Sequence, residues 1–173
     1  MRVIILLFLL TLCACNNNAN NKAVNDSTNI LELPADSSEA DIIELGKEDF
    51  YVWQVDNDKK TIAKNPRITE QYLNADTLII GLNKMFSTIK LEKIKQSNDT
   101  LYTQIKDATF LTEQMGSSGS ELYIAQAVLN LTSIKGINYV KIDFEEGSHA
   151  SPDTWSKESF KDYKEVQYYQ INK

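Results

Sequence analysis

Residues 118–144 read SGSELYIAQAVLNLTSIKGINYVKIDF and carry the clearest secondary-structure signals in the chain. Ser118 and Glu121 have the spacing of a capping box, in which two side chains bind backbone N–H groups at the start of a helix. Lys135 and Gly136 place a cation and a flexible turn residue at its end. The stretch therefore predicts a helix that is followed by a strand over residues 137–144.

Apolar residues recur at helical spacing within this helix and predict its buried face: Ile124, Ala127, Val128, Leu131 and Ile134. The polar residues between them are predicted to face water: Gln126, Asn130 and Ser133. In the following strand, every second residue is predicted to point inward: Val140, Ile142 and Phe144.

The elements before this stretch alternate between strands and a helix. Residues 50–55 are aromatic and β-branched and predict a strand, with a polar turn at 56–60 and a short return at 61–63. A helix is predicted from Thr69, with Gly81 inside it where another element packs closely. Its apolar stripe is Tyr72, Ala75, Ile79, Leu82 and Phe86, widened by Leu78 and Met85.

A hairpin is predicted next, with a bulge near Ile94, a turn at 97–99 and an alternating strand at 101–105. The order of elements is therefore β-α-β-β-α-β. It predicts an α+β fold in which two helices pack on one face of a three- to four-stranded sheet.

The C-terminal extension, residues 152–173, is rich in aromatic residues. Trp155 and Phe160 are predicted to fold back and close the domain. An aromatic cluster can also stack on sugar rings or dock a partner. The candidate partner-contact residues are Trp155, Tyr168 and Tyr169.

The N-terminus predicts a lipid anchor. Arg2 precedes an apolar run that is shorter than the roughly twenty residues of a membrane span, and the run ends at Leu12-Cys13-Ala14-Cys15. This end resembles the lipobox of bacterial lipoproteins, which implies a signal peptide at residues 1–14 and lipidation of Cys15. Asn16 stands where an Asp would resemble an inner-membrane retention signal, so the outer membrane is favoured over the inner.

The segment behind Cys15 predicts a tether. Residues 15–47 are rich in Asn, Ser, Asp and Glu, a composition that buries too little apolar surface to fold. Residues 48–173 then form the predicted domain. Of 24 acidic and 18 basic residues only Arg2 lies in the signal, so the mature chain carries a charge near −7, which argues against nucleic acid as a partner.

The sequence offers little that predicts catalysis. His149 is the single histidine, and it is predicted to lie in a solvated loop. Asp143 and Glu145 are assigned to the outward face of the last strand, and Glu146 to the turn after it. Asp56 and Asp58 lack the following ligands of a calcium loop. No cofactor or metal is predicted, and Cys13 and Cys15 leave the folded part without a thiol.

Three segments carry a family resemblance: residues 111–120, 125–132 and 134–140, with the acidic-Gly turn at Glu146 and Gly147. They resemble the GerM-type domain of sporulation and germination lipoproteins, with its Gly-Ser start, a helix that ends in Leu-Thr and a Lys-Gly step into the last strand. The resemblance implies an α+β fold and a non-catalytic scaffolding role, similar to ring-building modules of envelope-spanning assemblies.

Two functions remain open. The first is a non-catalytic envelope lipoprotein that presents a GerM-like domain to a protein or peptidoglycan partner, with the membrane contacted through Cys15. The alternative is a carboxylate-dependent hydrolase of cell-wall glycans, which needs two carboxyl groups about 5 to 10 Å apart in a cleft.

Overall fold

The computed structural model describes residues 50–69 and 73–171. The chain divides into two units, Met1–Ile42 and Ile43–Lys173, and every described residue belongs to the second. The predicted signal peptide, Cys15, the predicted tether and Tyr72 lie outside the described residues. Among the residues that are described, no helix is long and apolar enough to cross a membrane.

The fold is α+β, as the sequence predicts, with helices packed on small sheets. One sheet has three strands in the order β1-β2-β7. β1 (Trp53–Asp56) and β2 (Thr61–Lys64) form an antiparallel hairpin, and β7 (Lys164–Val166) pairs with β2 in parallel. This sheet is additional to the single sheet of the prediction, because β2 pairs with β7 of the C-terminal extension and neither β1 nor β2 pairs with the central hairpin.

The other sheet has four strands in the order β3-β4-β5-β6. They are β3 (Leu91–Ser97), β4 (Thr100–Ile105), β5 (Tyr139–Asp143) and β6 (Asp153–Ser156). β4 and β5 run parallel, as strands joined by a helical crossover do. The register between β3 and β4 shifts between Lys93 and Lys95, which confirms the predicted bulge.

Three α-helices occur in the described chain: α1 (Ala75–Met85), α2 (Gly116–Leu131) and α3 (Tyr168–Ile171). α1 begins later than predicted, because the side chain of Asn74 accepts a hydrogen bond from the Thr77 N–H and caps the helix there. Gly81 confirms the predicted close packing, since an added Cβ would overlap the backbone of Phe50.

The predicted capping box is wrong. α2 starts at Gly116, directly after a π-helical turn at Phe110–Gln114. Its first turn therefore follows another helical turn, and the residue between them, Met115, makes no side-chain cap. Ser118 lies inside the helix and binds Asn57. The helix also ends early, at Leu131, and Gly136 adopts its left-handed conformation (φ 86°) in the turn that follows.

The prediction that Gln126 and Asn130 face water is also wrong. Both side chains are buried, with exposed fractions of 2% and 0%. α2 is buried around its whole circumference from Tyr123 to Leu131, because it packs against β1 of one sheet and against β5 and β6 of the other. A helix between two sheets has no wet face along this stretch.

The C-terminal extension closes the domain as predicted. Phe160, in a 3-10 turn at Lys157–Phe160, is part of the core, and Trp155 in β6 packs against the core half-buried. The predicted inward residues of the four-stranded sheet and of the strand after α2 are also buried: Leu101, Thr103, Ile105, Val140, Ile142 and Phe144.

Candidate functional site

The outer edge of β1 is closed by two amide side chains of α2, which we call the amide clamp. Asn130 Oδ1 accepts the N–H groups of Val52 (2.5 Å) and Trp53 (3.0 Å), and its Nδ2 donates to the Trp53 carbonyl (2.9 Å). Gln126 Oε1 accepts the Val55 N–H (2.9 Å), and its Nε2 donates to the same Trp53 carbonyl. Because these groups are buried, pairing them removes a large desolvation cost.

An apolar groove of about 1130 Å³ opens beside this clamp. The C-terminal end of α1 forms one wall, the start of the described chain forms another, and the tail contributes Tyr168. Its apolar lining, which defines the groove below, is Phe50, Tyr51, Val55, Met85, Phe86, Leu122 and Tyr168.

Several of the polar groups that line the groove are engaged by the protein. Asn83 Nδ2 donates to the Leu91 carbonyl (2.9 Å) and its Oδ1 accepts the Leu91 N–H (2.8 Å). Gln126 belongs to the amide clamp, and the hydroxyls of Tyr51 and Tyr168 share a hydrogen bond of 2.5 Å. The groove therefore offers a ligand mainly apolar surface.

Lys84 supplies a positive charge at the rim. It lies in the last turn of α1, where a cation interacts favourably with the helix dipole, and its Nζ stands 5.0 Å from the centre of the Phe50 ring. Within the described part of the chain it forms no ion pair. No carboxylate of the described residues therefore neutralises its charge.

The structure separates the three candidate contact residues of the tail. Tyr168 lines the groove, whereas Trp155 lies in β6 of the four-stranded sheet. Tyr169 lies in α3, and its side chain is outside the described part of the structure. The sequence did not single out Phe50, Lys84 or Leu122 for this site, because a stripe of apolar residues does not tell which of them remain uncovered.

His149 lies in a loop, as predicted, and hydrogen bonds hold this loop against the start of α2. Its Nδ1 lies 3.3 Å from Ser117 Oγ, and its backbone N–H donates to the Thr112 carbonyl (2.9 Å). The Glu113 carboxylate accepts the N–H and hydroxyl of Ser148 (2.9 Å each), and these bonds lower its pKa. Gly147 leaves no room for a Cβ against Glu113 and Thr112, so the loop packs tightly there.

The other carboxylates considered in the sequence lie in separate parts of the structure. Glu145 and Glu146 line a small cavity of about 240 Å³ together with Glu113, and Asp143 is exposed on the outward side of β5, as predicted. Asp56 accepts the Lys59 N–H, which gives a hairpin turn and lowers the pKa of Asp56. The described residues contain no group of three or more His, Cys, Asp or Glu placed to hold a metal ion.

A polar hub connects the tail to α2. Lys60 Nζ donates to Glu121 (2.6 Å), Asn57 (2.9 Å) and Tyr163 (3.2 Å), and the Tyr163 hydroxyl donates to Asn57. Asn57 Nδ2 donates to the Ser118 carbonyl (3.0 Å). The hydrogen bond from Lys60 lowers the pKa of Glu121 more than burial raises it. The hub positions Tyr163 and the tail that leads to Tyr168.

Comparison of the chain with protein-family models, curated proteins and solved structures finds no match. The GerM-type resemblance stays a prediction from the residues that carry it. The geometry of the groove and the sequence of the N-terminus are therefore the features that indicate function.

Proposed function

We propose that this protein is a non-catalytic lipoprotein of the bacterial cell envelope, anchored through Cys15, that presents a GerM-like domain to a protein or cell-wall partner. The observation that carries the proposal is the groove, which combines a mainly apolar lining with a rim cation, Lys84, that forms no ion pair with any residue the structure describes. A concave apolar surface with few polar groups is the usual form of a binding site.

The arrangement of polar groups supports binding over catalysis. The amides of Asn83 and Gln126 are engaged in structural hydrogen bonds, so they are not available to polarise or deprotonate a substrate. The carboxylate of Glu113 is engaged by Ser148. The rest of the groove offers a ligand mainly apolar area, the polar side chains of Gln54 and Ser87, and the charge of Lys84.

The alternative of a carboxylate-dependent glycan hydrolase has one observation in its favour, because Glu113, Glu145 and Glu146 line a common cavity. A general acid of such an enzyme needs a raised pKa, whereas the pKa of Glu113 is lowered by the hydrogen bonds from Ser148. A cavity of about 240 Å³ is also below the range of about 300 to 1,000 Å³ in which ligand pockets fall. We therefore favour the binding function.

Two exposed apolar residues on α1 provide a matched test. Met85 (43% exposed) lines the groove, and Ile80 (39% exposed) does not. A photo-crosslinking amino acid at Met85 of the full chain, expressed in its own cells, should give a discrete adduct that the same amino acid at Ile80 does not give. Equal adducts at both positions, or none at Met85, would contradict a partner in the groove.

The anchor is tested separately. Mass spectrometry of the mature N-terminus should show acyl mass on Cys15, because the lipobox-like end implies cleavage before it and lipidation of its thiol. An unmodified N-terminus at Ala14 or Asn16 would overturn the anchor and leave the groove to be judged by the crosslinking alone.

A further inference from the structure

Several apolar side chains of the groove are partly exposed, whereas those of the neighbouring core are buried. Of its lining, Phe50 and Tyr51 are buried, Phe86, Leu122 and Tyr168 are half-buried, and Met85 is more exposed than any of these. Methionine is unbranched and adapts its shape to different contacts. A concave surface of this kind, larger than a typical small-molecule pocket, suits several side chains of one ligand.

The amide clamp limits how a ligand can bind. A peptide that adds a strand to a sheet needs unpaired N–H and C=O groups at the sheet edge. At β1 the N–H groups of Val52, Trp53 and Val55 and the carbonyl of Trp53 are already bound by Asn130 and Gln126. A ligand of this groove is therefore held through its side chains and not by strand addition.

The mainly apolar lining also selects against sugars. Burying a sugar hydroxyl without a hydrogen-bond partner is costly, and the amides of Asn83 and Gln126 are already satisfied within the protein. The groove is open to solvent, so an acyl chain in it would stay partly in water. A peptide segment with one apolar face and one solvated face fits both conditions.

The rim charge defines the polar part of the ligand. Lys84 is exposed, sits over the Phe50 ring and has no ion pair among the described residues, although the chain as a whole carries a charge of −6. A carboxylate of the ligand can approach Lys84 from the solvent side while neighbouring apolar side chains enter the groove. Such a rim ion pair mainly provides selectivity.

We infer that the groove receives a short peptide segment of a partner protein in which apolar side chains flank one Asp or Glu, and that Lys84 pairs with this carboxylate. The inference rests on the proposed function and names the partner chemistry of the same site. Leu122, Met85 and Phe86 supply the apolar contacts, and the peptide backbone remains hydrated along its outer face.

The test uses the mature lipidated chain in nanodiscs of zwitterionic lipid and a display library of random eight-residue peptides. Enriched peptides should combine at least two apolar residues with an acidic one. Binding of a labelled enriched peptide should weaken about tenfold in Lys84→Glu and in Met85→Ser. The matched controls Lys141→Glu and Ile80→Ser, which lie outside the groove, should change it less than twofold.

Replacing the acidic residue of the peptide by its amide should weaken binding to the wild-type protein. The same replacement should leave binding to the Lys84→Gln variant unchanged, because that variant has already lost the ion pair. Equal loss in both proteins would overturn the role of Lys84. Two results together would overturn the peptide as the ligand in favour of a fatty acid: micromolar oleate displaces the peptide, and Lys84→Glu weakens the binding of oleate.

The outcome also separates this inference from the proposed function. No acidic–apolar enrichment, together with a discrete crosslink at Met85 in cells, would overturn the peptide ligand and leave the groove as a binding site. Loss of both the enrichment and the crosslink would overturn both. Circular dichroism of each variant confirms that a loss of binding does not come from unfolding.

Discussion

β1 and β3 are both edge strands, and the protein protects their free edges in opposite ways. The edge of β1 is buried and bound by Asn130 and Gln126, so its polar groups are satisfied inside the protein. β3 remains largely exposed after its first residue, and it carries a bulge and the salt bridge from Lys93 to Asp76 (2.8 Å). Exposed edges invite association, and bulges and lysines are the usual protection.

The difference shows where stability depends on single polar residues. At β1 the removal of one side chain leaves several buried backbone groups without partners. At β3 water replaces any bond that is lost. We therefore expect the same type of substitution to have a large effect at the first edge and a small one at the second.

The largest expected effect is that of Asn130→Leu. The substitution leaves the Val52 and Trp53 N–H groups unpaired, and each buried unsatisfied group costs about 1 to 3 kcal/mol. The free energy of unfolding, measured by urea titration with circular dichroism, should fall by about 3 kcal/mol or more. Asn138→Leu on the exposed turn should change it by less than about 0.5 kcal/mol, and a similar loss in both variants would contradict the role of the clamp.

Tyr123→Phe should act in the opposite direction. Tyr123 is fully buried in α2, and its hydroxyl has no hydrogen-bond partner among the described residues. Burial also raises the pKa of this hydroxyl. The ring rests edge-on against Phe86, with centroids 5.1 Å apart, and this contact is kept by Phe. We expect a gain of about 1 kcal/mol in urea titration; a loss of similar size would indicate that the hydroxyl is hydrated.

Glu121→Gln tests the polar hub through its pH dependence. Lys60 lowers the pKa of Glu121 below its ordinary 4.5, so the stabilisation is present above pH 4.5 and is lost as the pH falls through the lowered pKa. Because the Glu121 side chain is 49% exposed, the contribution should not exceed about 0.5 kcal/mol. Wild type and variant should differ at pH 7, and the difference should shrink as the pH falls below 4.5 towards and through the lowered pKa. A difference that does not change with pH would assign the effect to packing.

The smallest change in stability is expected for Lys93→Ala on β3. Its salt bridge with Asp76 is exposed on both sides, so the free energy of unfolding should change by less than about 0.5 kcal/mol. We expect the lysines of β3 to act on association instead. The double variant Lys93→Val, Lys95→Val removes two edge charges and should therefore associate. Size-exclusion chromatography at increasing concentration should show oligomers for the double variant and none for Lys141→Val with Lys161→Val.

The sequence predicted most of the elements and their buried residues. The bulge near Ile94, the close packing at Gly81 and the inward residues of β4 and β5 follow from local patterns and are confirmed. The groove was not predicted beyond Tyr168. Its lining comes from four separate parts of the chain, and no local pattern predicts that Phe50, Lys84 and Leu122 lie together.

The sequence by itself determined the α+β class, the order of the elements up to β5 and most of the apolar side chains that enter the core, because hydrophobic periodicity is a local property of the chain. The tertiary structure alone decided that Gln126 and Asn130 are buried, that the hairpin pairs with the tail and that the capping box at Ser118 is not formed. Asn130 lies 78 residues from Val52, whose N–H it binds. Whether a polar side chain faces water or a backbone edge depends on what packs against it, and residues distant in sequence decide that.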